Sequence, residues 1–260
     1  LCSIGLGRPS LWIDEVHSYE FSSLPSFWLV LLNAAVRDAY PPLYFLLLHC
    51  WMKLGGGEVW LRMSSVLPHL ASIPVVYLAG KRAVSREAGL VAAALLAVSP
   101  FHIGFAQEVR MYSLMGFLAL LSAWGLIVYC QERSRRAFWV FTLSGLALLL
   151  THVIGGLLLL AQGCWLLSRL RREGMRPAFR EWLAVLAAGF LPWMPFFLKA
   201  VVVTGGYGSE APAHMLVYWF AATVGAGFAL PSPVAAVSFA TVAALVAIGA
   251  AVRPRWPLRG

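Results

Sequence analysis

Charge is scarce in this chain. Only 12% of its 260 residues are charged while 60% are hydrophobic, which leaves too little polar side chain to cover a soluble domain of this size. Acids are scarcer still, with 11 Asp and Glu against 20 Lys and Arg. The net charge of +9 does not point to nucleic acid, because the basic residues stand in short clusters between apolar runs, the distribution expected of a membrane protein with positive cytoplasmic loops. Cysteine is limited to Cys2, Cys50, Cys130 and Cys164, without metal or redox spacing and mostly in or beside apolar runs, so these are packing residues. A basic leader and a cleavage site are also lacking, so no cleavable signal peptide can be read. Leu1 to Leu6 read as the tail of an apolar segment. The chain is accordingly expected to be a portion of a longer protein, truncated at both ends.

Apolar runs of the length an α-helix needs to cross a hydrocarbon core are what the sequence has in abundance. Spans are expected at 60–80, 87–105, 112–130, 137–151, 153–169, 181–200 and 234–252, giving an all-α, polytopic transmembrane bundle. Between them fall Lys81, Arg82 and Arg86; Arg133, Arg135 and Arg136; Arg169, Arg171, Arg172, Arg176 and Arg180; and Arg253, Arg255 and Arg259. All four clusters reach the cytoplasmic side if the apolar stretches 41–54 and 214–230 lie at the interface instead of crossing. The first of these stretches opens on Pro41 and Pro42 and stops at Gly55, Gly56 and Gly57, the expected punctuation of a short helix. Residues 7–57 then form an extracytoplasmic loop with interfacial helices, and 58–260 carry the transmembrane helices of one domain. Asp14, Glu15, Glu20, Asp38, Glu58, Glu108 and Glu210 gather on the extracytoplasmic face. An enzyme that needs carboxylates outside the membrane would have such a one-sided acidic surface.

Several short segments could carry chemistry. In Leu11-Trp12-Ile13-Asp14-Glu15-Val16-His17-Ser18, two adjacent carboxylates stand beside a tryptophan at the interface. In a partly dry site they could act as a base or hold a cation with His17; the bland alternative is a solvated helix start with acids favoured by the dipole. Asp38 precedes a double proline that fixes an extended approach to the apolar helix containing Tyr44, and alone would read as an N-cap. Gln107-Glu108-Val109-Arg110-Met111-Tyr112 joins two spans at the outer surface, where charges need partners or water. Arg110 offers a fork suited to phosphate oxygens. If the segment is helical, Glu108 shares a face with Tyr112, and Gln107 with Arg110; a structural Glu–Arg pair closing the turn is the competing reading. His152, between two apolar runs, gains interest only if the fold brings it near Asp14 or Arg110. Arg62 would snorkel, bind an anion or pair with a loop acid. Tyr207 and Glu210, in a glycine-rich outer loop, could belong to a lid.

Taken in order, LWIDEVHS (11–18), DAYPPLYFLLLHCW (38–51), GGGEVWLRMSS (55–65), SPFHIGFAQEVRMYSL (99–114), THVIGGLLLLAQ (151–162) and FLPWMPFFL (190–198) resemble the GT-C fold glycosyltransferases of the protein-mannosyltransferase and aminoarabinose-transferase type. The resemblance implies that the first extracytoplasmic loop carries the acidic catalytic motif, matched by Asp14 and Glu15, with Asp14 as the base. It implies transfer of a sugar from a polyprenyl-phosphate carrier to a lipid, glycan or protein acceptor, with inversion and release of polyprenyl phosphate. Asp38, Tyr44, Arg62, Gln107, Glu108, Arg110, Tyr112 and His152 then become candidates for substrate binding, Arg110 for the departing phosphate. Some members use a divalent metal cation and others do not; here its ligands would come from Asp14, Glu15 and His17. In the aminoarabinose-transferase branch a lysine precedes the double proline, whereas Tyr40 stands here, so that phosphate contact is not carried over. The implied partners are the donor, the acceptor and membrane lipids, with no nucleic acid, and the implied location is a bacterial plasma membrane.

A transporter or flippase for a lipid-linked substrate is the rival reading, and a non-catalytic assembly subunit a third. A transferase loses turnover but keeps donor binding when Asp14 becomes Asn, and a transporter shows no such separation.

Overall fold

The structure is a computed structural model and describes residues 6–7, 10–36, 41–169 and 175–203. Among the described residues every regular element is helical. Three short helices come first, α1 (Ile13–Ser22), α2 (Phe27–Val36) and α3 (Leu43–Met52). Then come α4 (Glu58–Ala83), α5 (Arg86–Val98), the short α6 (Pro100–Ala106), α7 (Tyr112–Glu132), α8 (Arg135–Thr151) and α9 (Gly155–Arg169). The last stretch is α10 (Arg176–Phe190), a 3-10 turn (Leu191–Trp193) and α11 (Met194–Val203).

Helices α4 and α7 and the stretch Arg176–Leu198 are long and apolar enough to cross a membrane. The span expected at 87–105 is bent: α5 and α6 meet at 56°, and the pair counts as a fourth crossing only if taken together. Pro100 explains the break, since it lacks the N–H that would continue α5 and drives Ser99 into extended backbone, ψ 117°. Helices α8 and α9 form where spans at 137–151 and 153–169 were expected, but their 17 and 15 residues fall below the roughly 20 that a full crossing takes. The ten-residue α3 is likewise too short to cross. The expected interfacial stretch 214–230 and span 234–252 lie outside the described residues, as do Tyr207 and Glu210.

Helix α4 packs against α5 and α7, and α7 against α8, and in the pairs α4–α5 and α7–α8 glycines stand where the backbones come closest. A Cβ on Gly125 of α7 would stand 2.6 Å from the Phe141 nitrogen of α8, and one on Gly80 of α4 would stand 2.8 Å from Gly89 Cα of α5. Small residues of this kind allow helices to approach closely in lipid. One turn beyond Gly125, Ser122 Oγ lies 3.3 Å from the Phe141 carbonyl and 3.2 Å from Gln162 Oε1, tying α7, α8 and α9 together. At the opposite end from α1 to α3, Arg82 of α4 pairs with Glu132 of α7 at 2.5 Å, and Arg135 of α8 pairs with Glu181 of α10. The basic clusters at 81–86, at 133–136 and around Arg176 therefore share one end of the bundle.

The short helices close the other end. Phe21, Val30, Ala34, Tyr44, Phe45 and Leu48 form a core with Leu61, Val109, Met111 and Trp193, so α1 to α3 are packed onto the helix ends and the turn between α6 and α7. His49 Nδ1 lies 2.9 Å from the Ser22 carbonyl, and the Phe21 and Phe45 rings are 5.3 Å apart, which fixes α1 on α3. The link from α3 to α4 is braced by two tryptophans. Trp51 and Trp60 stack at 4.4 Å with planes 7° apart, and each indole N–H donates to the other residue's carbonyl, at 2.8 and 3.1 Å. The intervening glycines permit it: Gly57 has φ +87°, and a Cβ on Gly55 would stand 2.8 Å from the Trp60 ring.

Candidate active site

The site is organised around a buried carboxylate. Glu15, in the first turn of α1, accepts four hydrogen bonds. Arg62 Nε and the Val109 backbone N–H reach Oε1, both at 2.9 Å, while Arg62 Nη2 at 2.8 Å and the Trp12 N–H at 3.2 Å reach Oε2. Both side chains are nearly inaccessible, 1% exposed for Glu15 and 3% for Arg62. The guanidinium also donates to the Leu6 carbonyl and, at 3.3 Å, to the Ser10 carbonyl. One ion pair thus ties the approach to α1, α1 itself, α4 and the turn after α6. Burial pushes the Glu15 carboxyl upward, but the hydrogen bonds from Arg62, Val109 and Trp12 outweigh it and hold it below the usual range.

The neighbours of this knot face each other. Arg110, next to Val109, donates from Nη1 to the Asp14 carbonyl at 3.2 Å, and its Nη2 stands 4.0 Å from Asp14 Oδ2. Asp14, next to Glu15, is the open member of the pair, with its side chain 46% exposed against 8% for Arg110. An exposed carboxylate and a buried guanidinium are thereby adjacent. Arg110 also lies over the Tyr112 ring, 5.6 Å from its centroid; Tyr112 packs on Phe105 at 4.6 Å and on His152 at 6.3 Å. His152 therefore does reach the surroundings of Arg110. Its Nδ1 accepts the Ile154 N–H at 3.2 Å, and burial followed by the charge of Arg110 pushes its pKa down, which favours the neutral ring.

Residues 107–111 form a turn between α6 and α7 and not a helix, so the expected face-sharing of Glu108 with Tyr112 and of Gln107 with Arg110 does not hold. The turn is drawn tight by the Arg110 N–H donating to the Glu108 carbonyl at 2.8 Å. Glu108 is half-buried, and burial, aided by the negative charges of Glu15 and Asp14, lifts its carboxyl to about 7 in spite of Arg110 and Arg62. Arg62 proves to be the ion pair with a loop acid, Glu15 being the partner. Tyr44 is buried on α3, close enough to feel the charge of Arg110. It lines a cavity of about 220 Å³ with Leu47, Trp51, Ser64, Leu67 and Leu114 between α3, α4 and the start of α7. Nothing in the sequence singled out Val109, whose contribution is a backbone N–H, or Ser65, whose hydroxyl lies 3.2 Å from the Arg110 carbonyl. Asp38 lies outside the described residues.

The donor set suggested for a divalent cation does not fit one. Glu15 has its acceptor positions filled by Arg62, Val109 and Trp12, His17 packs on Phe21 at 4.3 Å, and among the described residues no three His, Cys, Asp or Glu are grouped as ligands.

A family model described as dolichyl-phosphate-mannose-protein mannosyltransferase matches residues 39–198. The match takes in Tyr44, Arg62, the turn 107–112 and His152, while Asp14 and Glu15 precede it. No curated protein and no solved structure matches the chain.

Proposed function

Because the chain belongs to the dolichyl-phosphate-mannose-protein mannosyltransferase family, a family of membrane glycosyltransferases, we propose that it moves a sugar from a polyprenyl-phosphate donor to a lipid, glycan or protein hydroxyl at the extracytoplasmic face. The observation that carries this reading is the pairing of an accessible carboxylate, Asp14, with a buried guanidinium, Arg110, 4.0 Å apart. Asp14 takes the proton of the acceptor hydroxyl as its oxygen attacks the anomeric carbon. The bond from that carbon to the phosphate oxygen breaks on the opposite side, its electron pair leaves with polyprenyl phosphate, and configuration inverts. Arg110 stabilises the charge gathering on the phosphate. The burial of Arg110, 8% exposed, keeps water from its guanidinium and strengthens its pull on an anion. The apolar cavity beside Tyr44 offers the first isoprene units of the carrier a place next to the phosphate site.

Transfer of labelled sugar in membranes, over a panel of polyprenyl-phosphate sugars, tests the reading with Asp14→Asn. The variant keeps donor binding while transfer drops by roughly 10²- to 10⁴-fold, the usual contribution of a general base. Movement of donor across the bilayer without transfer, unchanged in the variant, would instead establish a transporter.

A further inference from the structure

We propose that Glu15 and Arg62 are a positioning pair, which holds Asp14 and Arg110 at their working separation and takes no part in the chemistry itself. The inference rests on the transferase reading above, with Asp14 as base. Adjacent acids in a first loop invite the view that both carboxylates act on substrate, and an arginine at a helix start invites the view that it binds an anion. The geometry points elsewhere. Both Glu15 oxygens are occupied by N–H donors, two on Arg62 and one each on Val109 and Trp12. A carboxylate that already accepts four hydrogen bonds and is 1% exposed has no lone pair for an acceptor hydroxyl.

The register of the contacts shows what the pair does. Glu15 binds the N–H of Val109 across 94 positions of sequence; one residue on, Arg110 meets Asp14, one residue back, at its carbonyl and its carboxylate. One short hydrogen bond between two backbone turns thus fixes how base and cation face each other. Arg62 supplies the countercharge that lets Glu15 be buried, and its contacts with the Leu6 and Ser10 carbonyls anchor the segment leading into α1. A buried ion pair is a poor source of stability but is well suited to setting register, because shifting either turn strands a charge.

The experiment compares Glu15→Gln, Arg62→Lys and the double variant Glu15→Leu with Arg62→Met, in the full chain in membranes, with the sugar donor that the wild type uses best. Turnover, KM for donor and thermal unfolding of the purified protein are read together. The double variant removes both charges, so it folds with a melting temperature near that of the wild type, yet Val109 has lost its acceptor and kcat falls roughly 10²-fold, the cost of misplacing reacting groups by about 1 Å. Arg62→Lys keeps the charge but cannot span Glu15 and the two carbonyls; it folds and loses kcat while KM for donor changes little. A double variant that regains wild-type turnover along with its stability would show the pair to be structural only. If the double variant does not fold, Arg62→Lys decides, and wild-type kcat in that variant overturns the proposal. A Glu15→Gln loss as deep as that of Asp14→Asn, with Arg62→Lys fully active, makes Glu15 catalytic and overturns it too. Asp14→Asn retaining transfer sinks the transferase site itself, whatever the other variants do, and a wild type without transfer from any donor sinks the transferase reading.

Discussion

Two glutamates close to the same turn respond to pH in opposite senses. Glu15 is held below the ordinary carboxylate range by its donors, so its contribution to stability is present above that range and is lost as pH falls through its lowered folded-state pKa. Glu108 is lifted to about 7 by burial and by the nearby carboxylates. Its protonated form is the one the fold prefers, so its contribution is complete below the ordinary value of 4.5 and disappears as pH rises through about 7. Glu108→Gln keeps the shape of the neutral acid without the titration. The variant is therefore expected to melt at a higher temperature than the wild type above pH 7, with the two converging near pH 4. Melting curves of the purified protein in detergent across that range check the sign; a variant that gains nothing at pH 8 would mean that Glu108 is solvated as an ordinary surface acid. Acidic character at positions 14, 15 and 108 is legible in the sequence. Which carboxylate is open and which is sealed is not, because beside the local Trp12 N–H the partners of Glu15 come from 47 and 94 positions away.

The helices hold the site through contacts far from it. Tyr112 opens α7 and His152 follows the end of α8, so the distance between these two rings depends on how closely α7 and α8 run. Gly125 sets that approach, since any Cβ there falls 2.6 Å from the Phe141 nitrogen and 2.9 Å from its Cα, backbone that has no rotamer to turn away. Gly125→Val is expected to destabilise the protein by roughly 1–3 kcal/mol, the usual cost of overpacking, and to lower activity in the fraction that stays folded. Gly56→Ala is the matched control: nothing lies within 4 Å of its Cβ, so its melting temperature stays within about 1 °C of wild type. Equal melting temperatures for both variants would show that α7 and α8 part without cost. At this scale the sequence announces its helices well, through apolar length, the Pro41-Pro42 start and the glycine stop before Glu58. It conceals the 56° bend between α5 and α6, because the hydropathy of 87–105 runs on through Ser99 and Pro100, and the bend is a backbone event at a single residue. The brace of Trp51 and Trp60 is hidden in the same way. Two tryptophans near a boundary suggest interface anchors, and only the turn through Gly55 to Gly57 brings their rings face to face.

Over the described residues, the basic clusters and the candidate site lie at opposite ends. The ion pairs Arg82–Glu132 and Arg135–Glu181 close the end that carries the basic clusters, while Asp14, Glu108, Arg110 and His152 lie at the other, where α1 to α3 pack. Basic loops stay on the cytoplasmic side during insertion, and on the function proposed above the Asp14 end then faces outward and the donor is presented from the outer leaflet. Side-specific labelling decides this. In a background with Cys2, Cys50, Cys130 and Cys164 replaced by serine, Glu20→Cys on the exposed surface of α1 is expected to react with a membrane-impermeant maleimide in intact cells. Arg136→Cys, at the start of α8, reacts only after permeabilisation. The reverse pattern would turn the site toward the cytoplasm and place the transfer before translocation of the carrier. It would also leave the clusters at 81–86 and 133–136 facing outward, against the insertion rule. A protein with that arrangement would need its basic residues for a partner on the outer surface, whereas the arrangement expected here needs them only to fix the direction in which Asp14 and Arg110 face.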